Sequence, residues 1–372
     1  MARPRPPLWL ASPSRFAALK APRAKSGLIL LCLFLLLCLS ALFVAGPPPV
    51  SRDPANRAND QADVILYETI IAGVRGGGDY YAVTATALRA GDYPLRPFVT
   101  FRLPTLAMVQ AALPAPLTLM LLYGLATGVV ASWFIRLRQA ITRPPPLAIA
   151  LVLLVGGMVA FVQPSLTAFH EIWAGLLIAL SLALRRPGNW ITAAAVGTIA
   201  MLVRETAALY VVVMLGMAVI DGQRREAMGW AVTLGVLAAV VAAHAYAVAQ
   251  VVGLADPASP GWVGLLGFGF FVKTMWIATA LNLAPAWLSA LLVGFALFGW
   301  ASWRDPLAVR ALAVFAAYAV LLSLFGRPDT FYWGLLVAPT ILVGLAFAPD
   351  GVRDLTVAAL DSRRITVTRS VR

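Results

Sequence analysis

The sequence predicts an all-α, polytopic helical membrane protein, and three observations carry that reading. Hydrophobic residues make up 61% of the 372 positions and charged residues only 12%. Mean hydropathy is +0.84, whereas a soluble chain dresses its surface with roughly a quarter charged residues. Apolar surface must therefore face lipid. Finally, Lys and Arg gather beside apolar stretches: Arg3, Arg5, Arg15, Lys20, Arg23 and Lys25, then Arg136, Arg138 and Arg143, then Arg185 and Arg186, then Arg224 and Arg225. A last group is Arg353, Arg363, Arg364, Arg369 and Arg372. Such flanks mark the cytoplasmic ends of spans. The net charge of +13 is thus read as orientation and not as a nucleic-acid patch.

The first apolar run, 28–45, is long enough to span. Gly46-Pro47-Pro48-Pro49 after it is not a small-x-small cleavage site, so a retained helix with a cytoplasmic N-terminus is expected and not a signal peptide. Cys32 and Cys38 lie on largely opposed faces of that helix and do not bridge each other. The polar segment 47–114 holds two amphipathic stretches, 62–74 and 80–90, separated by Gly76-Gly77-Gly78. Both read as helices in the interface plane.

Spans follow at 115–135, 147–163 and 168–184. The apolar stretch 190–220 is interrupted by Arg204-Glu205, yet both its flanks are basic. One helix does not begin and end on the same side, so two short helices meeting near the outer leaflet are expected. Broken backbone at that depth needs cover from protein or water. The alternative is one long tilted helix, which would invert everything downstream. Further spans are expected at 227–250, 284–303, 306–325 and 331–348, with an external loop over 253–282. This makes about ten helices with both termini inside. Three parts result: a basic cytoplasmic segment 1–26, a transmembrane domain 27–349 that includes the first loop, and a basic cytoplasmic tail 350–372. The repeats found in many carriers are not visible.

In this topology the unusual polar residues fall on the external side: Asp79, Arg96, Arg102, His170, Glu171, Arg204, Glu205, Lys273, Arg327 and Asp329. Ionisable groups at membrane depth are costly and are functional candidates for that reason. Each also has a plainer role open to it. Asp79 follows three glycines and could simply cap a helix. Arg96 and Arg102 could snorkel, and Glu171 could complement a helix dipole. Arg204 and Glu205 are sequence neighbours that point apart on a helix, so each is expected to seek a separate partner. Arg327 and Asp329 precede Phe331-Tyr332-Trp333, which could be an interfacial belt. His244 reads as a packed residue. No metal-type Cys/His spacing exists; a divalent metal is left open, with Glu171 as its one weak candidate.

The sharpest local feature is Gly76-Gly77-Gly78-Asp79-Tyr80-Tyr81, continued by Ala87-Leu88-Arg89-Ala90-Gly91-Asp92-Tyr93-Pro94. An acid with Tyr-Tyr in the first external loop resembles the GT-C-fold polytopic glycosyltransferases, especially bacterial polyprenol-phosphate-sugar-dependent mannosyltransferase-like proteins. The resemblance covers helix one and its loop. It implies an inner-membrane enzyme with a periplasmic site that inverts the transferred sugar. The donor would be a sugar on polyprenyl phosphate, the acceptor a lipid or glycan, and the base a first-loop acid. That role falls on Asp79, with Asp53, Asp60 and Asp63 as other carboxylates in the loop. Tyr80 and the external charged residues would contact substrate. A transporter or flippase of a lipid-linked or polar solute, centred on Arg204-Glu205, is the competing expectation.

Overall fold

A computed structural model describes residues 6–45, 62–261 and 263–361. Helix accounts for 78% of it, and no strand occurs among the described residues. Four helices are long and apolar enough to cross a membrane: Ala21–Leu42, Ala115–Ala140, Arg224–Val251 and Pro306–Phe325. The pair Pro328–Leu336 and Ala338–Ala346, bent by 60°, makes a fifth if it is one span. The other expected spans are shorter apolar helices, and local sequence explains their length. Pro144–Gly157 starts on three prolines and ends at two glycines, where a helix begins readily and stops readily.

In chain order the α-helices are α1 (Ala21–Cys38), α2 (Ala62–Arg75), α3 (Tyr80–Ala90), α4 (Thr105–Ala112), α5 (Ala115–Ala140), α6 (Pro144–Gly157) and α7 (His170–Leu184). After them come α8 (Ile191–Val203), α9 (Ala208–Ile220), α10 (Arg224–Val251), α11 (Phe268–Ile277), α12 (Ala286–Ser302), α13 (Pro306–Phe325), α14 (Ala338–Ile341) and α15 (Ala348–Leu360).

Ion pairs fix which helix ends lie together. Glu171 at the start of α7 meets Arg204 just after α8, at 2.6 Å. At the other end of α7, Arg185 meets Glu226 in the first turn of α10, at 2.7 Å. Asp221, after α9, pairs with Arg310 in the first turns of α13. The segment 191–220 therefore runs away from the Arg185 end, turns at Arg204, and comes back. Two short helices stand where the interrupted sequence predicts them. Each has 13 residues, about 20 Å at 1.5 Å per residue, short of a hydrocarbon core of about 30 Å.

One end of the bundle carries Arg15, Lys20, Arg136, Arg138, Arg143, Arg185, Arg186, Arg224, Arg225, Arg304, Arg310 and Arg353. The opposite end carries the first loop, the Arg204 turn and the 326–332 connection. These are called the basic end and the loop end.

Three expectations need correction. The segment 253–282 is not only loop, because it contains α11, buried along Phe270, Phe271, Val272 and Met275. That run is apolar but too short to register as a span. The first loop holds a third helix, α4, which follows two prolines and reads weakly in isolation. The chain after 349 is not a free polar tail: α15 packs on α1, with Leu355 against Gly27. Its acids are buried and hold the N-terminal segment. Asp350 accepts backbone N–H groups from Leu8, Trp9 and Leu10 at 2.6–2.9 Å, and Asp354 accepts Ser14 N–H at 2.9 Å. Over the described residues, both flanking segments thus pack on the bundle.

Close packing elsewhere uses glycine, as membrane helices do. A Cβ on Gly299 would collide with the Gly344 carbonyl, and one on Gly344 would collide with the Ala296 carbonyl. This brings the last turn of α12 against the bent pair. Of the acids in α15, Asp350 carries the stronger consequence, since a carboxylate with three N–H donors is replaced poorly by any other group. Asp350→Ala is expected to release the segment 6–20, and trypsin should then cut at Arg15 or Lys20 at least tenfold faster than in the parent. An unchanged cleavage rate would show that Asp350 does not hold the segment.

Candidate functional site

A cavity of about 240 Å³ opens at the loop end. Four separate regions build it, one of them contributing only Ser259. The first loop supplies Asp63 and Tyr67 from α2, Tyr80 from α3, and Tyr93, Thr100 and Arg102 beyond it. The start of α7 supplies His170, and the connection after α13 supplies Arg327, Asp329, Tyr332 and Trp333. Asp63, Tyr67, Ile70 and Ile71 share one face of α2 because residues three and four apart are neighbours on a helix. The amphipathic pattern that folds α2 onto the bundle is therefore the same pattern that delivers its carboxylate.

Asp63 is half-buried and accepts the Tyr93 hydroxyl at 2.9 Å. Burial pushes its carboxyl above the usual carboxylate range, opposed by the Tyr93 hydrogen bond and the positive charge of Arg102. Burial disfavours the charged form, which is the direction expected of a proton acceptor. Arg102 donates from Nε to the Tyr67 hydroxyl at 3.1 Å and lies 3.6 Å from Glu205. Its own carbonyl accepts the Tyr80 hydroxyl at 2.7 Å. Tyr80 thus positions the Arg102 turn as well as lining the cavity.

Beneath this layer, Arg204 is held by Glu171 at 2.6 Å and by Glu205. Glu171 is 0% exposed and Arg204 1%. Arg204 and Glu205 share a partner network despite being neighbours, because the helix breaks between them: Arg204 has extended backbone (φ −143°, ψ 110°). The pair is a brace under the cavity and is absent from its lining. Arg327 pairs with Asp329 and donates to the Gly261 carbonyl at 3.0 Å; both line the cavity.

Several sequence candidates lie elsewhere. Asp79 is exposed and caps α3, accepting the N–H groups of Tyr81 and Ala82 at 3.0 Å each. Its local sequence signal was the capping one, and it does not line the cavity. Arg96 donates to the Asp256 carbonyl at 2.8 Å and ties the first loop to the 253–260 segment. Arg89 pairs with Asp256 beside it, and that hydrogen bond draws the Asp256 carboxyl down to about 2. Lys273 reaches the Val44 carbonyl and the face of Trp276, also outside the cavity. His244 accepts or donates at Nδ1 to the Tyr81 hydroxyl, 3.2 Å away, amid aromatic rings. Asp53 and Asp60 lie outside the described residues.

Sequence reasoning missed the aromatic lining, Tyr67, Tyr93, Tyr332 and Trp333, and ranked Asp63 below Asp79. Spacing from Asp63 to Tyr67 on the amphipathic face of α2 was the available signal. Among the described residues, no three His, Cys, Asp or Glu side chains gather to hold a metal ion. Glu171, the weak metal candidate, accepts Arg204 at Oε1, and its Oε2 is buried without a partner. Chemically, the cavity offers a carboxylate with raised proton affinity, two accessible guanidiniums and several phenol hydroxyls. No family model, no curated protein and no solved structure matches the chain.

Proposed function

We propose that the chain is a membrane-embedded glycosyltransferase of GT-C-like architecture, moving a sugar from a polyprenyl-phosphate carrier to a lipid or glycan acceptor. The observation that carries this reading is the meeting of a first-loop carboxylate, Asp63, with Arg102 and Arg327 in one cavity. The concentration of Arg and Lys at the opposite end supports a cytoplasmic position for that end and both termini. The cavity then opens to the periplasmic face of a bacterial inner membrane, in a bundle of about ten helices when the shorter apolar ones count as spans.

In this mechanism Asp63, and not Asp79, is the base. Its carboxylate takes the proton of an acceptor hydroxyl as that oxygen bonds to the anomeric carbon. The bond from the anomeric carbon to the phosphate oxygen breaks on the far side, inverting the centre. Its electron pair leaves on the polyprenyl phosphate, whose charge Arg102 and Arg327 neutralise. Arg102 is the better placed, because its contact with Glu205 is long and a phosphate can compete for it. The reading is tested by incubating the protein in vesicles with labelled polyprenyl-phosphate hexoses and a membrane lipid extract. Transfer by the parent and its loss in Asp63→Asn support it; transfer by Asp63→Asn at the parent rate removes the base.

One observation favours a second reading, a transporter of a lipid-linked or polar solute. Buried charge at a helix break, as at Arg204, is a device of carriers. Solute counterflow in vesicles without any transfer product would decide for it.

A further inference from the structure

Around the same cavity, several uncharged polar groups have no protein partner. Both ring nitrogens of His170, the indole N–H of Trp333 and the hydroxyl of Thr100 are buried without a hydrogen bond, and all three residues line the cavity. His170 is only 3% exposed and Trp333 7%. Buried polar groups are almost always paired, and leaving one unpaired is costly. Three residues carrying that cost at one small cavity are complementary to something that enters it.

The chemistry of the set says what. A neutral imidazole offers one donor and one acceptor, an indole one donor, and a hydroxyl both. Mixed donors and acceptors without net charge match hydroxyl groups, which also do both. His170 is held in place by its edge contact with Tyr67, with ring centroids 4.9 Å apart, so its two nitrogens present a fixed spacing. The rings of Tyr67, Tyr332 and Trp333 give apolar faces suited to the C–H side of a pyranose. A volume of about 240 Å³ lies below the range of about 300–1,000 Å³ for drug-sized ligands, which limits the occupant to one ring. The charges in the wall are balanced, Asp63 and Asp329 against Arg102 and Arg327, so the unpaired groups left for the ring are all uncharged and suit an uncharged sugar.

We infer that the cavity is a hydroxyl-reading subsite for one uncharged monosaccharide ring, with His170 as the residue that sets its specificity. This rests on the glycosyltransferase reading and names the group that is transferred. The polyprenyl phosphate then lies at the Arg102 and Arg327 side, and the ring lies against His170 and Trp333.

The test uses the full chain in nanodiscs, titrated with the methyl glycosides of glucose, mannose and galactose and with glucuronate. Binding is read as the tryptophan fluorescence change that Trp333→Phe removes. At least one methyl hexoside should bind, at least tenfold more tightly than glucuronate. His170→Ala should weaken it at least tenfold, while His170→Gln, which keeps a donor and an acceptor, stays within threefold. The inference is overturned if no hexoside binds, if glucuronate binds as well, or if His170→Ala binds as the parent does. Should His170→Ala not fold, the ratio of hexoside to glucuronate in the parent and in His170→Gln decides alone. Transfer without this binding pattern overturns the subsite and leaves the enzyme; binding with counterflow and no transfer overturns the enzyme and leaves the subsite.

Discussion

Asp63→Asn is expected to lower sugar transfer by about 10²–10⁴-fold, the usual contribution of a positioned general base. Asn keeps the shape and can still accept the Tyr93 hydroxyl, so the cavity should persist and melting should be little changed. Asp79→Asn should leave transfer within a few-fold, because Asn also caps helices well. The two variants together separate the tertiary assignment from the local one. The pH dependence gives a second readout. A base works only when deprotonated, and burial raises the Asp63 carboxyl, so activity should fall on the acid side at a pH above the ordinary carboxylate range. Tyr93→Phe removes a donor that favours the charged form and should move that limb higher still. An acid limb that stays in place in Tyr93→Phe would argue against Asp63 as the titrating group.

Arg204→Met is expected to cost about 3–5 kcal/mol of stability, the penalty for stripping one partner from a buried ion pair. It leaves Glu171, 0% exposed, as an uncompensated charge, with Glu205 beside it. Adding Glu171→Gln removes that charge and should recover more than half of the loss, since replacing both members of a buried pair is often close to neutral. Thermal unfolding in nanodiscs would measure both. Were Arg204→Met as stable as the parent, the brace under the cavity would carry no load, and Arg204 would have to be reconsidered as a ligand group.

The parts of this fold legible in sequence are those set by composition along a short window. Apolar runs gave the long helices, period-3.6 patterning gave α2 and α3, and the charge pair at Arg204-Glu205 between basic flanks gave a returning pair of helices. Other features depend on which distant segment covers a residue. Asp79 has the stronger local context, three glycines before it and two tyrosines after it, yet that context is a helix start. Asp63 sits in an unremarkable stretch, and only the fold of α2 against α7 and the 326–332 connection places it in a cavity. Likewise α11 is too short to stand out, and it is buried because neighbours surround it. His170 looked like half of an adjacent His-Glu pair, but the helix turns the two apart, one toward the cavity and one toward Arg204.

The clasp that Asp350 and Asp354 form on residues 8–14 has a consequence for biogenesis. A membrane chain is inserted from its beginning, so α1 enters the bilayer long before α15 leaves the ribosome. Until then the basic segment ahead of α1 has no partner for its backbone, and the flank of α1 that meets α15 is bare. A helix made well before α15 is therefore among the last to be secured. A chain stopped before residue 348 should insert in the normal order and yet remain a substrate for quality-control proteolysis at its N-terminal edge, however complete its cavity.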